Sequence, residues 1–192
     1  EATFDLSEIS ADLIEDEGEV YFGFQNFLQD GSAVVNFTGQ MQDGLAFNIA
    51  ALNDGLAVLA ADTILAVSGE GGPLTIGDAG LASLNAGGTI DGDLLLGENG
   101  FIALSNLAPI DPIEALDGAD DVFTVTGNFQ SAGGAVYLDL STSGESSDTL
   151  IIGGAATGTT NIYFDTQGAT PGLTAAAPTD GILVVDTGEF SS

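Results

Sequence analysis

The chain has 192 residues and contains no Lys, Arg, His, Cys or Trp. Against these absences stand 29 Asp and Glu side chains, for a formal net charge of −29 at pH 7. Each missing residue type removes a class of chemistry. Without His or Lys there is no Ser-His-Asp or Cys-His nucleophile, no Schiff base and no P-loop lysine. Without His or Cys there is no zinc or iron site of the usual kind. Without Arg or Lys nothing clamps phosphate, so nucleic acid and anionic membrane surfaces are poor partners. Carboxylate chemistry, hard-cation binding, or no chemistry at all remain open.

What is present argues for a folded chain. Apolar residues make up 44% of the sequence and 11 of them are Phe, enough for a core despite the charge. Gly at 28 residues against 5 Pro favours many tight turns between short strands. A cysteine-free acidic chain fits secretion without disulfides. A signal peptide needs a basic n-region, and the sequence opens on Glu1 with no base anywhere, so it reads as a mature or processed product. The most apolar stretch, residues 49–67, is broken by Asn53, Asp54 and Asp62; it reads as two buried strands rather than a membrane insertion.

Short β-branched or aromatic runs alternate with Gly, Asp and Asn along the chain. Strands are expected at residues 34–39, 45–49, 56–60, 63–67, 74–76, 94–96 and 101–104. Further strands are expected at 122–126, 135–140, 149–152, 161–164 and 182–185. Only residues 12–17 and 81–85 offer a helical pattern, and both are short. The phrase Gly87-Gly88-Thr89-Ile90-Asp91-Gly92-Asp93-Leu94-Leu95-Leu96-Gly97 sets strand, glycine corner and strand in close succession. Such phrases suit a parallel β-helix, in which each rung buries the inward side chains of short strands and glycine permits the bends. The expected fold is therefore all-β, a right-handed parallel β-helix with a C-terminal cap. The alternative is an antiparallel β-sandwich, which the strand spacing also fits.

The last third is more specific. Phe123-Thr124-Val125-Thr126-Gly127-Asn128-Phe129 leads to Gly133-Gly134-Ala135-Val136-Tyr137-Leu138-Asp139-Leu140. Then come SSDTLIIGGAATGTTNIYF at residues 146–164 and Asp180-Gly181-Ile182-Leu183-Val184-Val185-Asp186. This order resembles the C-terminal passenger region of autotransporters, the pertactin-like right-handed β-helix with its autochaperone-type cap. The resemblance covers residues 121–186, and more loosely 33–107. It implies three regions: an N-terminal strand or cap segment (1–30), β-helix rungs (31–120) and an autochaperone-like region (121–192). It also implies delivery to the extracellular space or outer surface of a Gram-negative-type bacterium. The chain departs from the family in its short length and in lacking the outer-membrane barrel, so the export route stays open.

Among the carboxylates, Asp120-Asp121, Asp91 with Asp93, and the run Glu15-Asp16-Glu17-Glu19 are the candidates for paired acid–base work, which needs two carboxyls about 5 to 10 Å apart. Neighbours on a strand point to opposite faces, and the net charge repels the acidic polysaccharides on which β-helix enzymes act, so no enzymatic activity is expected. Calcium is better motivated, because Asp-rich glycine turns supply oxygen ligands. The candidate ligands are Asp91 and Asp93, with Glu98 nearby, and Asp117, Asp120 and Asp121; solvated turns explain them as well. Asp148, Ser147 and the neighbouring glycines are expected only to shape turns. The functional expectation is a non-enzymatic structural protein, a homo-oligomer or filament built by strand-edge stacking, with Thr3-Phe4-Asp5-Leu6 either given to a neighbour or serving as the first strand of its own fold. The alternative is a monomeric adhesin for surface glycans or host protein, with Phe22, Phe24, Phe27 and Tyr137 as an aromatic platform or simply as core.

Overall fold

The computed structural model describes residues 2–5, 26–29, 34–41, 46–47, 49–67, 72–78, 80–105, 119–141, 146–166 and 184–187. Among these the chain is all-β, with no helix. In chain order the strands are β1 (Ala2–Asp5), β2 (Asn26–Gln29), β3 (Val34–Thr38), β4 (Ile49–Leu52), β5 (Gly55–Leu59), β6 (Ile64–Ala66), β7 (Leu74–Ile76) and β8 (Ala82–Ala86). Then follow β9 (Thr89–Asp91), β10 (Leu94–Leu96), β11 (Gly100–Ala103), β12 (Val122–Val125), β13 (Phe129–Ser141), β14 (Ser146–Ser147), β15 (Thr149–Ile152), β16 (Ala156–Asp165) and β17 (Val185–Asp186).

Pairing sorts them into three parallel ladders. The first runs β1, β3, β5, β8, β11 and the later part of β13, ending on residues 161–165 of β16. The second runs β2, β4, β7, β10 and the start of β13, ending on residues 156–159 of β16. The third is β6, β9, β12, β15 and β17. From β4 onward the chain visits the second, first and third ladders in that order, layer after layer. The first two ladders form one curled sheet because β13 and β16 each run through both, and the register breaks between Ala132 and Ala135 where β13 changes direction. Gly133, at φ +110°, supplies that bend. Only β14 runs antiparallel to its partner, β13, so the described pairing is not that of an antiparallel sandwich.

The ladders stack like residues on like. Val35, Ala57, Leu84, Ile102 and Val136 follow one another in register and are all buried. So do Leu74, Leu94 and Phe129 in the second ladder, and Leu65, Ile90, Val125 and Ile152 in the third. Because strand side chains alternate, each layer sends every second residue inward, and each fully buried aliphatic contributes about 1.5–3 kcal/mol. Phe123, wholly buried, pairs with Leu150 in the same interior.

The strand expectations hold over most of the described chain, with specific shifts. The helical reading of residues 81–85 is wrong. Those residues give β8, which sends Leu84 inward and pairs Ser83 Oγ with Asn85 Oδ1 at 3.0 Å on the other face. The strand expected at 45–49 begins at Ile49, and Phe47 contributes only a bridge to Val67. The strand expected at 161–164 is the second half of the ten-residue β16. At the C-terminal end β17 takes up Val185 and Asp186, while residues 182–183 lie outside the described residues, as does the helical candidate at 12–17. β1 pairs with β3 of its own chain, so Thr3, Phe4 and Asp5 belong to a first strand here, and Leu6 lies outside the described residues.

Candidate functional site

The acidic turns sit at two corners. At the bend from the third ladder into the second, the segments Ile90-Asp91-Gly92-Asp93, Val125-Thr126-Gly127-Asn128 and Ile152-Gly153-Gly154-Ala155 lie in adjacent layers. Gly127 N donates to Gly92 O at 2.9 Å and Gly154 N to Gly127 O at 2.8 Å. A Cβ at Gly127 would strike Asp93 Oδ1 and the Gly92 backbone, so the close stacking requires glycine there. Asp93 Oδ1 accepts the Asn128 peptide N–H at 2.7 Å and Asp93 Oδ2 the Asn128 side-chain amide at 3.3 Å. Asn128 Oδ1 in turn accepts Ala155 N at 3.0 Å in the next layer. Asp91 Oδ1 accepts from Thr126 Oγ1 at 2.7 Å, and Thr126 Oγ1 accepts Gly92 N at 3.0 Å. The carboxylates of Asp91 and Asp93 are therefore used to tie one layer to the next.

The second corner lies where β12, β13 and β15 approach. Asp120 is exposed in a turn, and Asp117 lies outside the described residues. Asp121 donates its peptide N–H to Asp148 Oδ1 at 3.0 Å and accepts Thr149 N at 2.9 Å. Asp148 Oδ2 accepts the Asp139 peptide N–H at 2.6 Å, and Asp148 N donates to Asp139 O at 3.0 Å. Asp148 and Asp139 are both 0% exposed. With no base in the chain, burial pushes the Asp148 carboxyl up to about 7; the neighbouring Asp139 and Asp121 carboxyls add to the rise, and the two peptide N–H bonds oppose it. The expectation that Asp148 only shapes a turn is too modest: it clamps three strands. The signal available in the sequence was an Asp set between two strands with no cation anywhere to pair it.

Among the described residues no three acidic side chains converge where a cation would sit. Asp91, Asp93 and Glu98 are not gathered into one site, nor are Asp120 and Asp121 with a third acid. Phe22, Phe24 and the run from Glu15 to Glu19 lie outside the described residues, and Phe27 belongs to β2. Tyr137 instead joins an aromatic ladder: it stacks on Tyr163 (centroids 5.0 Å, planes 15° apart) and meets Phe101 at 6.0 Å. Burial, and then Tyr163, push the Tyr137 phenol above its ordinary range.

The feature that sequence reasoning missed is the end of the ladders among the described residues. Ile162 and Phe164 of β16 continue register positions held one layer earlier by Val136 and Leu138. Val136 and Leu138 are 0% exposed, whereas Ile162 is 39% and Phe164 44% exposed. Beside them opens a cavity of about 200 Å³ lined by Phe129, Val136, Leu150, Ile152, Ile162 and Val185. Comparison with protein-family models, with curated proteins and with solved structures returns no match.

Proposed function

We propose that the three ladders are the faces of a right-handed parallel β-helix of the autotransporter-passenger type, acting as a non-enzymatic structural protein on the outer surface of a Gram-negative-type bacterium. In this reading the molecule associates with copies of itself through strand edges, toward filaments. The observation that supports it is the β16 layer, whose core positions are four-tenths exposed where the preceding layer's are fully buried. An unblunted edge strand with apolar side chains is a template for further pairing. The repulsion between chains of −29 is weakened by salt or acid, since no basic groups exist to build opposite charge.

A second reading, a monomeric adhesin, is favoured by the outward aromatic ladder of Phe101, Tyr137 and Tyr163, with Tyr163 half exposed. Electron microscopy of the purified chain at high salt separates the two. Paired rods or larger regular assemblies support the first; dispersed single rods that bind a glycan array support the second and refute the first.

A further inference from the structure

Building on the self-association reading, we infer that the open face of β16 is a two-fold contact surface that takes β16 of a second copy in antiparallel register, tail to tail. Three observations lead there.

The first is the missing layer. Val136 lies between Ile102 and Ile162, whereas Ile162 and Phe164 close one end of the ladder and, among the described residues, have a strand on one side only; the other end of the ladder is β1.

The second is charge. In a chain with 29 acids, residues 149–164 contain none, so this is a layer on which two copies meet without facing carboxylates. Asp165 ends β16. A head-to-tail stack that continued the first ladder onto β1 would place Ala2 at the Ile162 position and therefore Asp5 at the Asp165 position. That sets acid against acid. A two-fold axis at Thr160 sends Asp165 toward Ala155 of the mate instead.

The third is shape. β16 has two arms, residues 156–159 and 161–165, on either side of Thr160, and a two-fold axis there overlays one arm on the other. An isologous contact needs only this one surface. It sets Ile162 opposite the mate's Gly158 and Phe164 opposite its Ala156, large residues over small ones; Ala156, Gly158 and Ile162 line the cavity. Continuing onto β1 would engage one arm through four residues only.

The contact is modest. Ten residues at about 3.3 Å each, on a layer about 10 Å thick, give roughly 330 Å² per copy. Stable complexes bury about 800 Å² per partner, so a reversible dimer with a dissociation constant of roughly tens to hundreds of micromolar is expected.

Sedimentation of the whole chain from 5 to 500 µM in 1 M NaCl at pH 7, where the screening length is about 3 Å, reads this directly. The wild type should pass from monomer to dimer. Phe164→Lys and Ile162→Lys, at positions already partly exposed, should weaken the dimer at least tenfold with unchanged circular dichroism. The chain has no cysteine, so Thr160→Cys can form a disulfide only between copies. It should cross-link under mild oxidation, while Thr75→Cys on β7, three layers away, should not. A wild type monomeric at 500 µM overturns the inference, as does Phe164→Lys dimerising like the wild type or Thr160→Cys linking no faster than Thr75→Cys. Filaments that persist in Phe164→Lys would overturn the tail contact while leaving self-assembly standing; dispersed glycan-binding rods would overturn both.

Discussion

Replacing Asp148 by Asn should change how stability depends on pH more than it changes stability itself. The carboxyl has no contact with solvent and is held by the Asp139 and Asp121 peptide N–H groups. Its pKa rises from the ordinary 3.8 to about 7, chiefly through desolvation. At about 1.36 kcal/mol per unit, the charged form in the folded chain is disfavoured by roughly 4 kcal/mol relative to the unfolded one. Below pH 4 both states keep the proton and nothing is lost. Between about pH 4 and 7 the unfolded chain releases it while the folded chain retains it, so folding weakens as pH rises. Above 7 both are ionised and the full penalty stands.

Asn carries no charge at any pH but offers only one acceptor oxygen to two peptide donors. Leaving one buried N–H without a partner costs about 1–3 kcal/mol. The variant should therefore be the less stable protein near pH 4 and should draw level with, or overtake, the wild type near pH 8. Urea unfolding of both proteins at fixed high salt across pH 4–8 gives the difference, in which the titration of carboxylates remote from Asp148 cancels and that of Asp139 and Asp121, which couple to it, does not. A difference that stays constant within about 0.5 kcal/mol would show that Asp148 ionises normally in the folded chain and that the clamp as described is wrong.

Two further outcomes test the corners. Gly158→Ala places a Cβ against the Ser131 carbonyl at φ +90°, and should cost roughly 2–4 kcal/mol in thermal or urea unfolding. Gly133→Ala has φ +110° but open space around it and should cost only about 1–2 kcal/mol; equal losses would mean that packing between layers is not what demands glycine at 158. Calcium and magnesium, each added at 5 mM to chelator-treated protein, should raise the melting temperature equally. The oxygens of Asp93 are already bonded and no three described acids converge, so the ions act by screening. A rise specific to calcium would show that the acidic turns act as ligands.

The strand content was legible because inward residues recur at every second position between glycine and Asx turns, as in Val122-Phe123-Thr124-Val125. What the alternation could not decide was pairing. Ala82-Ser83-Leu84-Asn85-Ala86 is short enough to mimic a helical turn, and only the strands on either side, β5 and β11, fix it as β8. The corner stack was written in the sequence as Asp91-Gly92-Asp93, Thr126-Gly127-Asn128 and Gly153-Gly154-Ala155. Its meaning depends on spacings of 35 and 27 residues between layers, which no local pattern reveals. Asp148 read as a turn former because the groups that hold it come from two other segments, at Asp121 and Asp139, which no local pattern brings to it. The β16 end was invisible for a related reason: Ile162 and Phe164 follow the same inward pattern as Val136 and Leu138, and nothing local distinguishes a last layer from an inner one.

A chain without bases must find polar order elsewhere than in salt bridges, and this one uses oxygen acceptors for peptide N–H groups at its bends. That choice alters the usual response to acid. Acid unfolding ordinarily follows from breaking carboxylate–cation pairs, charging buried histidines and accumulating positive charge. None of the three can happen here, since the sequence holds no Lys, Arg or His. Protonation instead lowers the net charge from −29 toward zero and relieves the buried charge at Asp148. The melting temperature of dilute, monomeric protein should therefore be higher at pH 4 than at pH 7, and higher at pH 7 than at pH 8.5. A melting temperature that falls on acidification would mean that the hydrogen bonds at the bends, from the Thr126 hydroxyl to Asp91 and from Asn128 to Asp93, contribute more than the repulsion between carboxylates, and the corners rather than the net charge would then govern the fold.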